Sequence, residues 1–140
     1  MALSIEDFNR MKADTNKGQY NRHGEPEHDM QVSCVKWFRS QYKPLSQLLF
    51  AVPNGSLRNK VIARKLKAEG VISGVADLML AVPGENSHGL FIEMKNGKAN
   101  NQSSAQKEWE KQITAQGYKY ALCRSLEDFI ELINKYLRHD

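Results

Sequence analysis

The stretch Gly70-Val71-Ile72-Ser73-Gly74-Val75-Ala76-Asp77-Leu78-Met79-Leu80-Ala81-Val82-Pro83-Gly84-Glu85-Asn86-Ser87-His88-Gly89-Leu90-Phe91-Ile92-Glu93-Met94-Lys95 decides the fold. Two apolar runs, Leu78–Val82 and Leu90–Met94, flank a turn-rich segment of Pro, Gly, Asn and Ser, so the spacing predicts a β-hairpin with a long loop. Strand side chains alternate faces, so Glu93 and Lys95 point one way while Ile92 and Met94 point the other. In an antiparallel pair the start of one strand lies beside the end of the next, which brings Asp77 to Glu93. The hairpin thereby gathers two carboxylates and an ammonium at one end.

Neighbouring carboxylates repel, and a divalent cation relieves the repulsion. Oxygen-only ligation suits Mg²⁺ or Mn²⁺, which take one or two carboxylates and keep positions for water and phosphate oxygens. A lysine beside such a site orients a water or stabilises charge on phosphorus. A salt bridge of Lys95 to either acid at an exposed strand end is the plainer account of the same three residues.

The surroundings add to this. Asp77 followed by Glu93-x-Lys95 resembles the PD-(D/E)xK nuclease superfamily, with Ala76 standing where its proline usually does. Val52-Pro53-Asn54-Gly55, then Leu66 to Asp77, then Phe91 to Lys95, then Gln106 and Trp109 before Gly117 resemble the VRR-NUC family of virus-type replication-repair nucleases, from about Glu27 to Leu122. That resemblance implies a restriction-endonuclease-like α/β fold, a mixed sheet with an αβββαβ core flanked by helices. It implies that Asp77, Glu93 and the backbone carbonyl of Met94 hold Mg²⁺ or Mn²⁺, that Glu27 ligates a second ion directly or through water, and that Lys95 orients the attacking water. Glu27 and Gln31 fit the family's E-x-x-x-Q helix, Gln106 its glutamine beside the catalytic lysine, and Asn54 a supporting place. Small stand-alone members further imply a homodimer acting on branched DNA such as four-way junctions.

At 140 residues the chain is long enough for one domain with its own core. Lys and Arg number 20 against 16 Asp and Glu, a net charge of +4, with basic clusters at Arg58–Lys67 and Lys95–Lys98. That excess fits a polyanionic partner without requiring one. Arg58, Arg64, Lys65, Lys67 and Lys98 are the candidate phosphate contacts. No run reaches membrane-spanning length, the N-terminus lacks a signal peptide's apolar stretch, and two cysteines in apolar contexts suit reduced, buried thiols. The expectation is a soluble cytoplasmic protein, with a bacterial or phage-infected cell as its setting. Four scattered histidines and the absence of CxxC exclude a zinc site; no P-loop is present, so no nucleotide cofactor is expected.

Residues 1–25 read as an N-terminal arm, in which Ile5, Phe8 and Met11 have the spacing of a short amphipathic helix; the domain follows over 26–140. A helix from Glu25-Pro26-Glu27 to about Tyr42 carries Glu27 and Gln31 on the stripe that continues into Cys34, Val35 and Phe38. Leu48–Val52 is a buried strand. Ser56 caps a basic helix over Leu57–Glu69, with Val61, Ile62 and Leu66 as its apolar stripe and Gly70 as its stop. Ser103-x-x-Gln106 is a capping box opening a helix to Gln116, so capping and site roles compete for Gln106. Trp109 belongs with the core rather than with a stacked base. Tyr118–Cys123 is a strand, and Ser125-x-x-Asp128 opens a last amphipathic helix. Three functions compete: a metal-dependent DNA endonuclease, a non-catalytic nucleic-acid-binding module of the same fold, and a metal-dependent nucleotide hydrolase.

Overall fold

The computed structural model describes residues 5–6, 26–53, 59–97 and 101–138. Ile5 and Glu6 are helical and exposed; the rest of the 1–25 arm, Asn54, Ser56, Arg58 and Lys98 lie outside the described residues. Helix α1 (Pro26–Gln41) starts on a proline, whose missing N–H is no loss in a first turn, and passes into a 3-10 helix at Lys43–Leu48. Strand β1 (Leu49–Ala51), helix α2 (Lys60–Ala68), strands β2 (Leu78–Leu80) and β3 (Leu90–Met94), helix α3 (Ser104–Ala115), strand β4 (Lys119–Cys123) and helix α4 (Leu126–Arg138) follow. The alternation of helix and strand is the one the sequence predicts.

The sheet has the order β1-β2-β3-β4. β1, β2 and β3 form an antiparallel meander, and β4 joins β3 in parallel. A parallel neighbour needs a crossover, which α3 supplies. The register sets the two faces. Leu49, Leu80 and Leu90 lie across from one another, as do Ala51, Leu78 and Ile92. With Met94 and Cys123 this face meets Cys34, Trp37 and Phe38 of α1 and Phe129, Ile130 and Ile133 of α4, forming the core. Each fully buried Leu, Ile or Phe here stabilises the fold by about 1.5–3 kcal/mol over leaving it in water. Trp37 ties the two helices, its ring edge-on to Phe129 at 6.0 Å.

The other face carries Phe50, Met79, Phe91 and Tyr120 in one row and Asp77 and Glu93 in the next. Helix α3 covers its β3–β4 half, where Trp109 stands edge-on to Phe91 at 4.8 Å and tilts over Tyr120 at 6.2 Å. Trp109 is thus a packing residue, as its spacing suggests.

Several boundaries differ from the sequence reading, and the strand expected to be buried over Leu48–Val52 is instead the edge strand Leu49–Ala51, in which only Leu49 is buried while Phe50 and Ala51 are exposed. Helix α2 begins at Lys60, three residues later than the Ser56 cap implies, because Asn59 supplies the cap: its Oδ1 accepts the Val61 N–H at 2.9 Å. Its end is as expected, since Gly70 takes φ +107°, and the N–H groups of Gly70 and Val71 reach Lys67 and Leu66 in a Schellman motif. Strand β2 stops at Leu80 rather than Val82, whose carbonyl accepts the Tyr136 hydroxyl instead of a ladder bond.

Candidate active site

Asp77 lies one step beyond the Leu78–Ile92 pair, which sets it against Glu93 across the β2–β3 ladder. Its Oδ2 accepts the Met94 N–H at 2.8 Å, so a carboxylate continues the ladder where the strand ends. The N–H and carbonyl of one strand residue face the same edge, so the Met94 carbonyl is turned to the Asp77 side of β3.

Glu93 is 3% exposed. Its Oε1 accepts the Gln106 amide N–H at 2.7 Å and has the Lys95 ammonium at 3.8 Å. Its Oε2 is buried and no N–H or O–H donor among the described residues reaches it; the carboxyl instead meets the Asp77 carboxyl, with which it can share a proton. Burial first, and then the neighbouring Asp77 charge, push Glu93 up from 4.5 to about 8. Asp77 is raised as well, chiefly by burial and further by Glu27, against the pull of the Met94 N–H. Two carboxylates that would rather hold a proton than both ionise are a site waiting for positive charge.

Gln106 serves two ends at once. Its Oε1 accepts the Ser103 N–H at 2.9 Å and its backbone N–H reaches Ser103 Oγ at 3.2 Å, completing the capping box. The same amide's Nε2 holds Glu93. Capping and site roles therefore coincide rather than compete. Glu27 reaches the site from α1, where its Oε1 accepts the Asn96 N–H at 3.1 Å, and Gln31 is half-buried one turn further on.

The sequence reading singled out neither Asn96 nor Gly74. Gly74 takes φ +91°, and a Cβ there would stand 2.6 Å from the Ala105 carbonyl oxygen. Only glycine lets the loop that delivers Asp77 lie against the first turn of α3. Its place after Ser73, four residues past Gly70, was the available signal.

Asp77, Glu93, Lys95, Gln106 and Glu27 thus converge from four elements. Among the described residues no three Asp, Glu, His or Cys side chains form a ready-made cage. Two carboxylates and a carbonyl are nonetheless a donor set that suits a hard cation such as Mg²⁺, which keeps several waters, and the buried Glu93 Oε2 offers the ligand atom. Arg64, Lys65 and Lys67 lie on α2, exposed, with no residue of that helix buried. A cavity of about 320 Å³ between α2 and the following loop has Lys60, Arg64 and Lys67 around Leu66 and Val71.

The sheet order sets an acid–acid–lysine cluster at one end of the central hairpin of a mixed α/β domain. The VRR-NUC domain model matches residues 12–127. A solved structure described as a VRR_NUC domain protein superposes with a TM-score of 0.71 at 27% sequence identity, covering 82% of this chain and 90% of its own. No curated protein matches. The chain belongs to the VRR-NUC family.

Proposed function

We propose that the protein is a divalent-metal-dependent DNA endonuclease that hydrolyses phosphodiester bonds in branched DNA such as four-way junctions, as a homodimer in the cytoplasm. The observation that carries the reading is the Glu93–Asp77 pair: two buried carboxyls set against each other, with a lysine at 3.8 Å from Glu93 and no cationic or N–H donor on Glu93 Oε2 among the described residues. A binding module has no use for acids facing phosphates, and such a pair works against the fold until a cation joins it.

Asp77, Glu93 and the Met94 carbonyl would hold Mg²⁺ or Mn²⁺, with Glu27 acting through water. When bound, the ion would acidify a water and neutralise charge gathering on phosphorus. Gln106 fixes the Glu93 rotamer through Oε1 and so leaves Oε2 for the ion. Lys95, held within 3.8 Å of Glu93, would orient the attacking water and then face the developing negative charge. Arg64, Lys65 and Lys67, joined by Arg58 and Lys98, would grip phosphates on either side of the cut. Two sites related by a two-fold axis would place two opposed cuts.

No helix among the described residues is long and apolar enough to cross a membrane. The test incubates the protein with a labelled four-way junction and a linear duplex of matched sequence in Mg²⁺, Mn²⁺ or EDTA, with Asp77→Ala and Lys95→Ala alongside. Symmetric, metal-dependent cuts on the junction, lost in both variants, are expected. Equal cutting of both substrates removes the junction preference. Binding without cutting in either metal overturns the enzyme reading, and hydrolysis of free nucleotides without salt-sensitive DNA binding replaces the polymer substrate.

A further inference from the structure

Phe50 is 42% exposed, at the middle of edge strand β1. A large aromatic side chain usually finds a partner, and its row shows how. Across the sheet Phe50 faces Met79, Met79 faces Phe91 and Phe91 faces Tyr120. Trp109 of α3 closes over the Phe91–Tyr120 half. In the other half Met79 is half-buried and Phe50 is exposed, and among the described residues Phe50 has no ring partner.

That half borders the acids. Asp77 is two residues before Met79, so it shares their face and is Phe50's diagonal neighbour across the β1–β2 ladder. Diagonal cross-strand neighbours lie about 7–8 Å apart, within reach of an aromatic ring. For a DNA strand whose phosphate sits at Asp77 and Glu93, the exposed Phe50 is the aromatic side chain this face offers to an adjoining nucleotide. Further along the chain, the basic helix α2 carries exposed Arg64, Lys65 and Lys67, which suit a phosphate backbone.

We infer that Phe50 stacks on the unpaired nucleobase next to the scissile phosphate and so selects DNA with an unstacked nucleotide at the cut. This rests on the reading of the site as one that acts on DNA. In a continuous duplex both faces of each base are taken by its neighbours, and freeing one costs stacking energy. At a branch or flap the base is already free. An aromatic platform beside a phosphate-gripping surface is how sequence-tolerant single-strand recognition works, and each stacked base carries on the order of tenfold or more in affinity. Phe50 would supply substrate choice without touching the reacting atoms.

A double-lesion cycle tests it. Binding of flap DNA is measured in Ca²⁺, with the base intact or removed at each unpaired nucleotide in turn, for wild type, Phe50→Leu and Phe50→Trp. Leucine fills the same apolar space without a π-face, whereas tryptophan restores one. Expected are a roughly tenfold loss on removing one particular base from the wild-type complex, a similar loss in Phe50→Leu on intact DNA, no further loss when both lesions are combined, and near wild-type binding by Phe50→Trp. Additive losses, or unchanged binding in Phe50→Leu, overturn the assignment. So does a shift in sedimentation of Phe50→Leu alone, which would give this face to a second copy of the chain. If the coupling holds and no metal-dependent cutting is found, the nuclease reading fails and the stacking site stands. If cutting is found and the losses add, the nuclease stands and the stacking site falls.

Discussion

Gln106 shows how much one amide can carry. A primary amide has a donor end and an acceptor end, and here the acceptor caps α3 through Ser103 while the donor holds Glu93. Two substitutions separate the roles. Ser103→Ala removes the cap hydroxyl, costs about 1 kcal/mol of stability, and leaves the bond to Glu93 in place. Gln106→Ala removes the amide's bonds to the Ser103 N–H and to Glu93 but leaves the Ser103 hydroxyl capping the helix, and each lost bond is worth about 0.5–1.5 kcal/mol. If the bond to Glu93 is needed in the transition state, cleavage by Gln106→Ala falls about tenfold or more while Ser103→Ala stays near wild type. Thermal midpoints and single-turnover rates on one substrate decide it; equal rates in the two variants would reduce Gln106 to a cap. The spacing from Ser103 and the place after Lys95 were both legible in the sequence, but which atom of the amide meets which partner was not. Spacing gives reach, and only the packing of α3 over β3 gives direction.

At the scale of elements, the hairpin and the two helices over the core were legible because their periodicity meets a partner. Of the pattern Leu126, Phe129, Ile130, Ile133 and Leu137, the first four are buried and Leu137 is half-buried against the same core. Helix α2 has as clear an apolar stripe, yet Val61 is 71% exposed, Ile62 is exposed too, and only Leu66 and Ala63 are half-buried. A stripe announces a face, not what covers it. The cap moved from Ser56 to Asn59 for a similar reason, since both residues suit the role and local sequence ranks them equally. Because α2 adds little to the core, its charges are open to change without unfolding. Replacing Arg64, Lys65 and Lys67 together by Gln is expected to lower DNA affinity and to flatten the slope of log affinity against log salt by about 0.9 for each phosphate the helix no longer neutralises, with the thermal midpoint hardly moved. An unchanged slope would take the phosphates away from this helix. Gly74 behaves in the opposite way. At φ +91°, with the Ala105 carbonyl oxygen where a Cβ would go, Gly74→Ala is expected to lose more than about 1 kcal/mol and to reduce cleavage by displacing Asp77. Wild-type stability in that variant would mean that the loop moves freely off α3.

For the molecule as a whole, the acid pair makes stability depend on pH and metal together. In the folded chain Glu93 is raised from 4.5 to about 8 and Asp77 is raised as well, so without metal the folded state holds protons that the unfolded chain gives up. Such groups support the fold fully below the ordinary carboxylate range, and that support is lost as pH climbs towards and through about 8. In EDTA the thermal midpoint is therefore expected to fall between about pH 5 and pH 8.5, and Glu93→Gln, which keeps the shape and loses the charge, should flatten the fall. A divalent cation competes with the same protons, so its stabilising effect should be small at pH 5 and grow as the pair ionises. At a metal concentration a hundred times its dissociation constant the gain is about 2.7 kcal/mol, or roughly 5–10 °C for a domain of this size. Melting curves across that pH range with Mg²⁺, Mn²⁺ or EDTA, for wild type, Asp77→Asn and Glu93→Gln, read both effects at once. The wild-type curves with and without metal should diverge as pH rises, and those of the two variants should lie close together. A metal-induced rise as large in Glu93→Gln as in wild type would place the ion elsewhere on the protein, and a pH-independent midpoint in EDTA would mean that the two carboxylates ionise without strain.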